Sequence, residues 1–351
     1  MIRVGFRADA SEKIGVGHLM RCQAFAQSLT LRGVDSIFFT RSSSLSLIYQ
    51  RFDWLGQVVL IPDDLSIEQE VGWIAEQQQV LQLNAIVLDG YHFNAAYRHL
   101  LRACICPLVV YDDLNNSDFL NADMVINCSD VAKDLGYEAT AAEAILCLGA
   151  NYRLLRKEFN QLAHVPFSQR NVLTLVMGGS DAFNLTLPIL KELEQRQARQ
   201  IHLRVITGAL YPHLVELKSF LQHSKLNVQH EHNCQNMASM FSSSRLVVSA
   251  AGSSQYEILA CQAPALLLVV ADNQLPASLF AEQQGWCQIQ DLTDSIDIAS
   301  VVDKVLGLWS AAESLELMHL KACQFESSNG TALYSQLAKL IAKFTDGQHD
   351  R

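Results

Sequence analysis

The chain opens MIRVGFRADASEKIGVGHLMRC, residues 1–22. IRVGFRA is an apolar run of strand length, and HLMRCQAFAQSLTLRG, which follows, has helical spacing. Between them stand Gly15, Val16, Gly17 and His18. A strand that breaks at glycines and enters a helix is the first half of a βα unit, where backbone can come close to a ligand. The helix start favours a neutral imidazole, and a neutral imidazole accepts a proton as a general base. The plainer alternative is a histidine that hydrogen-bonds locally. A nicotinamide site is excluded: Met20 stands where G-x-G-x-x-G needs its third glycine, and SIFFT runs into Arg41 where an acidic residue belongs.

Outward from this stretch the texture repeats. DSIFFT, QVVLI, AIVLD, PLVVYDD, MVINCS and AILCLG read as strands, with helices such as SIEQEVGWIAEQQQVLQL and NAAYRHLLRA between them. Apolar strands alternating with helices mean a parallel sheet covered on both faces. After a polar helix, YRLLRKEFNQLA, the series restarts over residues 163–171. NVLTLVMGG, IHLRVITG, LNVQHE, RLVVSAAG, APALLLVV and WCQIQD read as a second set of strands. NLTLPILKELEQRQ, LVELKSFLQH, NMASMFSSS, SSQYEILACQ and SLFAEQQG read as their helices. The fold expected is α/β: two tandem Rossmann-like, doubly wound domains, 1–165 and 166–351, with the ligand in a cleft between them at the carboxyl ends of the strands. GTALYSQLAKLIAKF closes the chain as an amphipathic helix, and TDGQHDR as a frayed end.

Half of the 351 residues are hydrophobic, which supports full cores and argues against disorder. The net charge of -10 disfavours a nucleic-acid partner, so an anionic ligand would have to be met locally, by backbone N–H groups and helix starts. Nine cysteines without a C-x-x-C pair read as buried free thiols of a cytoplasmic protein; Cys104-Ile105-Cys106 has the wrong spacing for zinc. No apolar run reaches the length of a membrane span, and MIRVGFRADA reads as a strand with two arginines and not as a signal h-region.

Four more strand ends carry chemistry. LVMGGSDAFNLT gives Gly178, Gly179, Ser180 and Asp181, then a helix with Asn184 in its first turn: a phosphate cradle, or a tight turn capped by Asp181. VVSAAGSSQYEILA gives Gly252, Ser253, Ser254 and Glu257: a second anion-binding helix start with a carboxylate for a ribose diol, or a capping box of Ser254 with Glu257. VLDGYHF and VVYDDLNN supply Asp89, Tyr91, His92, Asp112 and Asp113, which can orient a histidine, hold sugar hydroxyls or cap turns.

In this order, G-x-G-H, DGYH, YDD, MGGSD..N and SAAGSSQYE.L resemble the nucleotide-sugar hydrolases of pseudaminic acid biosynthesis, which cleave UDP-2,4-diacetamido-2,4,6-trideoxy-β-L-altropyranose into UDP and free sugar. The resemblance runs to about residue 290. It implies a GT-B-like fold, no metal and no cofactor, and a second domain that holds UDP with Glu257 on the ribose. It implies His18 as the base and Tyr91 as its companion in the site. The motifs depart at Tyr256, where a member of that family has asparagine. On this basis His18, Tyr91 and Asp89 are the expected catalytic residues, Asp89 or Asp112 orienting His18 or holding substrate. Gly17, Asp112, Gly178, Gly179, Ser180, Asn184, Gly252, Ser253, Ser254 and Glu257 are expected to bind the UDP-sugar.

Hydrolysis at an anomeric carbon needs an activated water and a leaving group met by fixed dipoles, which the two glycine loops would supply. The alternative is a GT-B glycosyltransferase, for which RSSSLSLIYQRF, residues 41–52, is the short candidate for a membrane-facing patch. A non-catalytic UDP-sugar binder would have no use for GVGH, and a 2-epimerase would need carboxylates at sugar C2 and C3. A metal site built from Asp112, Asp113 and Asp181 would instead direct water at phosphorus.

Overall fold

The computed structural model describes residues 1–104, 106–160, 162, 165–325, 328 and 330–347. Among the described residues thirteen strands form, one in each of the thirteen stretches expected as strands. β1 (Arg3–Arg7), β2 (Asp35–Thr40), β3 (Gln57–Leu60), β4 (Ala85–Asp89), β5 (Leu108–Tyr111), β6 (Met124–Asn127) and β7 (Ile145–Leu148) make one sheet, in the order β3-β2-β1-β4-β5-β6-β7. β8 (Val172–Val176), β9 (His202–Thr207), β10 (Asn227–His232), β11 (Ser244–Ala250), β12 (Ala265–Val269) and β13 (Cys287–Asp291) make the other, in the order β10-β9-β8-β11-β12-β13. Every neighbouring pair is parallel. In each sheet the order reverses beside the first strand, at β1/β4 and at β8/β11, and such switch points are where open α/β sheets receive ligands.

The helices are α1 (Gly17–Thr30), α2 (Leu45–Tyr49), α3 (Ile67–Leu81), α4 (Ala95–Cys104), α5 (Tyr137–Thr140), α6 (Thr186–Gln195), α7 (Leu214–His223), α8 (Met237–Ser242), α9 (Ser254–Ala260), α10 (Leu275–Gln283), α11 (Ile298–Ser310), α12 (Ala312–Ala322) and α13 (Thr331–Gly347). Local chemistry starts some of them. Ser66 accepts from the Gln69 N–H, and the Gln69 side chain accepts in turn from the Ser66 N–H, a capping box that opens α3.

In the first unit α1 lies on the sheet through Phe25, whose ring meets Phe6 of β1 edge-on at 5.7 Å; Phe6 in turn stacks on Phe38 of β2 at 5.0 Å. All three rings are fully buried, and cutting one back to alanine would cost about 3–5 kcal/mol. In the second unit Leu173 and Leu175 of β8, Leu246 and Val248 of β11 and Leu266 and Leu268 of β12 join Leu190 and Leu193 of α6 and Val301 and Val305 of α11 in one core.

The chain divides by contacts into Met1–Ala10, His18–Lys157 and Ser328–Arg351 as one unit, and Ser11–Gly17 with Glu158–Ser327 as the other. The expected division at 165/166 leaves open whether the closing helix crosses back; its contacts group it with the first unit. Arg32, at the end of α1, reaches Thr331 Oγ1 at 3.1 Å and lies 5.2 Å over the Tyr334 ring. Residues 163 and 164 of the boundary stretch, and 348–351 of the expected frayed end, lie outside the described residues, whereas 345–347 continue α13.

One expected helix does not form. YRLLRKEFNQLA gives two single 3-10 turns, Ala150–Tyr152 and Lys157–Asn160, with irregular chain between; Gln161 and Ala163 lie outside the described residues. Tertiary bonds take the place of helical ones here: Arg153 reaches the Cys128 carbonyl at 2.9 Å and Asp130 at 2.6 Å, and the Lys157 N–H donates to Gln27.

Candidate active site

Two groups of predicted residues assemble, one in each unit. In the first unit they gather at the β1/β4 switch point. His18 is the second residue of α1, and Asp89 is the last of β4. His18 Nδ1 lies 2.7 Å from Asp89 Oδ1, with the ring 9% exposed and the carboxylate fully buried. Three positions along α1, hence on the same face, Arg21 faces the same carboxylate. Its Nε donates to Oδ2 at 2.7 Å and its Nη2 to Oδ1 at 2.7 Å. The Cys22 thiol completes the set at 3.8 Å from Oδ2. Four donors thus occupy the acceptor capacity of Asp89.

Burial by itself would push the Asp89 carboxyl up; the Arg21 guanidinium and then the His18 ring outweigh it and hold it down at about 2. Asp89 is therefore an anion and only accepts. Nδ1 thus carries a proton donated to Asp89, so in the neutral imidazole the lone pair is on Nε2, which meets no partner among the described residues. This is the arrangement a general base needs.

Arg21 also grips Asp113, its Nη1 donating to Oδ1 at 2.8 Å and its Nη2 to Oδ2 at 3.1 Å. Asp113 accepts from the Tyr91 hydroxyl at 2.9 Å. The Tyr91 ring, 59% exposed, stands edge-on to the imidazole with centroids 4.7 Å apart and an interplanar angle of 87°. The turn that carries Tyr91 needs Gly90: φ there is +156°, and a Cβ would lie 2.9 Å from both the His92 and the Phe93 ring. The same turn sends His92 the other way, to 3.6 Å from Asp9. Asp9 belongs to a separate buried network in which Arg7 joins Asp9 and Glu70, and Arg41 and Tyr97 also meet Glu70.

Asp112 takes the plainer of its expected roles. Its Oδ1 accepts from the Tyr137 hydroxyl at 2.6 Å and from the Leu114 and Asn115 N–H groups, so it closes the turn after β5 and does not meet His18. Arg21 is the residue that sequence reading missed. The signal was present: it is the one charged side chain in the 14 residues of α1.

In the second unit the loops after β8 and β11 flank the other switch point. The Gly178–Asp181 turn is held from beside by Gly208, after β9. A Cβ on Gly208 would lie 2.2 Å from the Gly179 carbonyl oxygen, which itself accepts from the Leu210 N–H. Ser180 is buried. Asp181 accepts from the Leu185 and Thr186 N–H groups at 2.8 and 2.9 Å, the capping alternative. α6 consequently starts at Thr186, and Asn184, expected in its first turn, precedes it in a left-handed conformation (φ +49°). Asn184 Oδ1 is buried without a partner.

After β11, Gly252 and Ser253 form the turn and Ser254 is the first residue of α9. The cap is Ser253, which makes no side-chain capping bond. The expected capping box of Ser254 with Glu257 is therefore not built, because its register is one residue off. Glu257 stands half-buried in the first turn, beside Tyr256. Among the described residues no three His, Cys, Asp or Glu side chains group as a metal site, and no helix is long and apolar enough to cross a membrane.

Comparisons with known proteins add to this geometry. The model of the glycosyltransferase family 28 C-terminal domain matches residues 173–333. UDP-2,4-diacetamido-2,4,6-trideoxy-beta-L-altropyranose hydrolase of Campylobacter jejuni is 24% identical over 288 residues, 81% of this chain and 98% of that protein. An uncharacterized protein of Methanocaldococcus jannaschii is 24% identical over 277 residues, 76% of this chain and 55% of its own, so the chain spans about half the length of that relative. Among solved structures, MurG of Acinetobacter baumannii superposes with a TM-score of 0.60 at 15% identity, covering 99% of this chain and 100% of that one. With two parallel α/β sheets of this order and that likeness across its length, the chain has a two-domain, Rossmann-like GT-B fold.

Proposed function

We propose that the protein is a nucleotide-sugar enzyme that hydrolyses a UDP-linked 2,4-diacetamido-2,4,6-trideoxy hexose, releasing UDP and the free sugar for pseudaminic acid synthesis. The observation that carries a general base is the His18–Asp89 contact of 2.7 Å, with Nδ1–H spent on an ionised carboxylate and Nε2 left as base; the choice of water as the group it activates rests on the likeness to the Campylobacter jejuni hydrolase. Nε2 takes a proton from water, the water oxygen bonds to C1 of the sugar, and the C1–O bond breaks with its electron pair leaving on UDP. Attack from the face opposite UDP inverts the configuration. Asp89 stabilises the imidazolium that forms. UDP is assigned to the second unit: Glu257 to the ribose, and the backbone N–H groups around Gly178 and Gly252 to the diphosphate. The likeness to the Campylobacter jejuni hydrolase over nearly its whole length supports this assignment.

A second reading, a glycosyltransferase in which His18 deprotonates an acceptor hydroxyl, is favoured by the family 28 match over residues 173–333. The two part on one experiment: incubation with the UDP-sugar in EDTA, with no acceptor present. Hydrolysis predicts stoichiometric UDP and free sugar; UDP release that waits for an added acceptor contradicts it.

A further inference from the structure

Arg21 makes four hydrogen bonds to two carboxylates, Asp89 and Asp113, each of which holds a different aromatic side chain of the site, His18 and Tyr91. Its guanidinium also lies 4.6 Å over the Tyr111 ring, which fixes its plane from behind. We infer that Arg21 is a positioning residue, which locks the His18 imidazole into the tautomer with its proton on Nδ1 and sets Tyr91 edge-on to it, by gripping Asp89 and Asp113 with one planar fork.

The inference rests on His18 being the base. Its physical content is geometric. With Oδ1 and Oδ2 of Asp89 both fixed by Arg21, the carboxylate cannot rotate, so the imidazole it holds cannot swing or flip. The 3.4 Å approach of Arg21 Nη2 to His18 Nδ1 is not a hydrogen bond, since both atoms carry protons directed at Asp89 Oδ1. The other titratable groups around the pair are Cys22 on α1, Tyr111 on β5, Tyr91 and Asp113 in the turns after β4 and β5, and Cys128 after β6. Burial pushes the Cys22 thiol well up and the Cys128 thiol up to about 12, and it raises the Tyr111 hydroxyl, so all three stay neutral. Arg21 is thus the cation that offsets two carboxylates. A lysine there would keep the charge and lose the fork, which separates geometry from charge.

The test uses the full chain and needs no substrate for its first arm. A proton held between Nδ1 and a carboxylate at this distance is strongly deshielded, and its downfield proton NMR signal is assigned by its loss in His18→Gln. Arg21→Lys, and Arg21→Gln where it folds, should lose or broaden that signal. Turnover should fall on the order of 10²-fold, with KM moving much less, because the base is misplaced and not deleted. An Arg21→Lys chain that is folded and keeps the wild-type proton signal overturns the inference, whatever its turnover. If the wild-type chain cleaves no UDP-sugar, the base assignment falls while the proton signal still decides whether Arg21 positions His18.

Discussion

His18 and Asp89, 71 positions apart in sequence, meet at 2.7 Å because β1 and β4 are neighbours at the point where strand order reverses. The helix after β1 brings the ring and the last residue of β4 brings the carboxylate. Everything proposed for catalysis depends on that meeting.

Asp89→Asn would keep the shape and remove the anion that fixes the tautomer. UDP-forming activity should drop on the order of 10²–10⁴-fold, comparable to His18→Ala, with UDP affinity nearly unchanged in both. Steady-state rates beside calorimetric UDP titration check this. Near-wild-type turnover by either variant would remove His18 and Asp89 from the chemistry.

Glu257→Ala distinguishes a ligand-binding glutamate from a structural one. As the ribose ligand, Glu257 should lower UDP affinity when removed, in a variant that remains folded and whatever its melting temperature. A lower melting temperature with unchanged UDP affinity would return Glu257 to a structural role.

Gly208→Ala and Gly252→Ala form a contrasting pair. The first would drive a Cβ to 2.2 Å from a backbone oxygen of the Gly178–Asp181 turn; the second meets nothing within 4 Å. Gly208→Ala should cost roughly 1–3 kcal/mol of stability and weaken UDP. Gly252→Ala should leave stability alone and weaken UDP only, as a methyl group set against a bound diphosphate would. Differential scanning calorimetry and UDP titration of both variants decide it.

Acid stability should follow the buried carboxylates. Arg21 holds Asp89 at about 2 against the rise that burial would give; Asp9, through His92 and Arg7, and Glu70, through Arg7, are likewise depressed against burial. A depressed carboxylate contributes stability that is complete above its unfolded value, about 4, and is lost as pH falls through its folded one. For Asp89 that is on the order of 2 kcal/mol, lost between about pH 4 and pH 2. The melting-temperature gap between the wild type and Asp89→Asn should narrow across that window; a gap independent of pH would contradict it.

Most strands were legible because they are short apolar runs bounded by polar or glycine-containing turns; the polar edge strand β10, NVQHEH, followed from the alternation of strands with helices, which announces a parallel sheet. His18 and Asp89 were legible as candidates because one begins a helix and the other ends a strand, and Tyr91 because it sits in the turn that follows Asp89. What stayed hidden depends on distant partners. YRLLRKEFNQLA has helical composition, but Asp130 and Gln27 compete for its polar groups. The return of α13 to the first unit depends on partners some 300 residues earlier in the chain, Arg32 among them, and on burial of Leu333 and Leu337. Asp112 and Asp113 are adjacent and alike in sequence; only Tyr137 on one side and Arg21 on the other assign the first to a turn and the second to the site.

The central claim is that water attacks the anomeric carbon. Turnover of the UDP-sugar in ¹⁸O-labelled water, followed by mass spectrometry of both products and by NMR of the sugar before mutarotation, tests it directly. The account predicts the label on the anomeric oxygen of the free sugar, none in UDP, and an inverted first-formed anomer. Label in a phosphate group, with UMP and sugar phosphate as products, would contradict it.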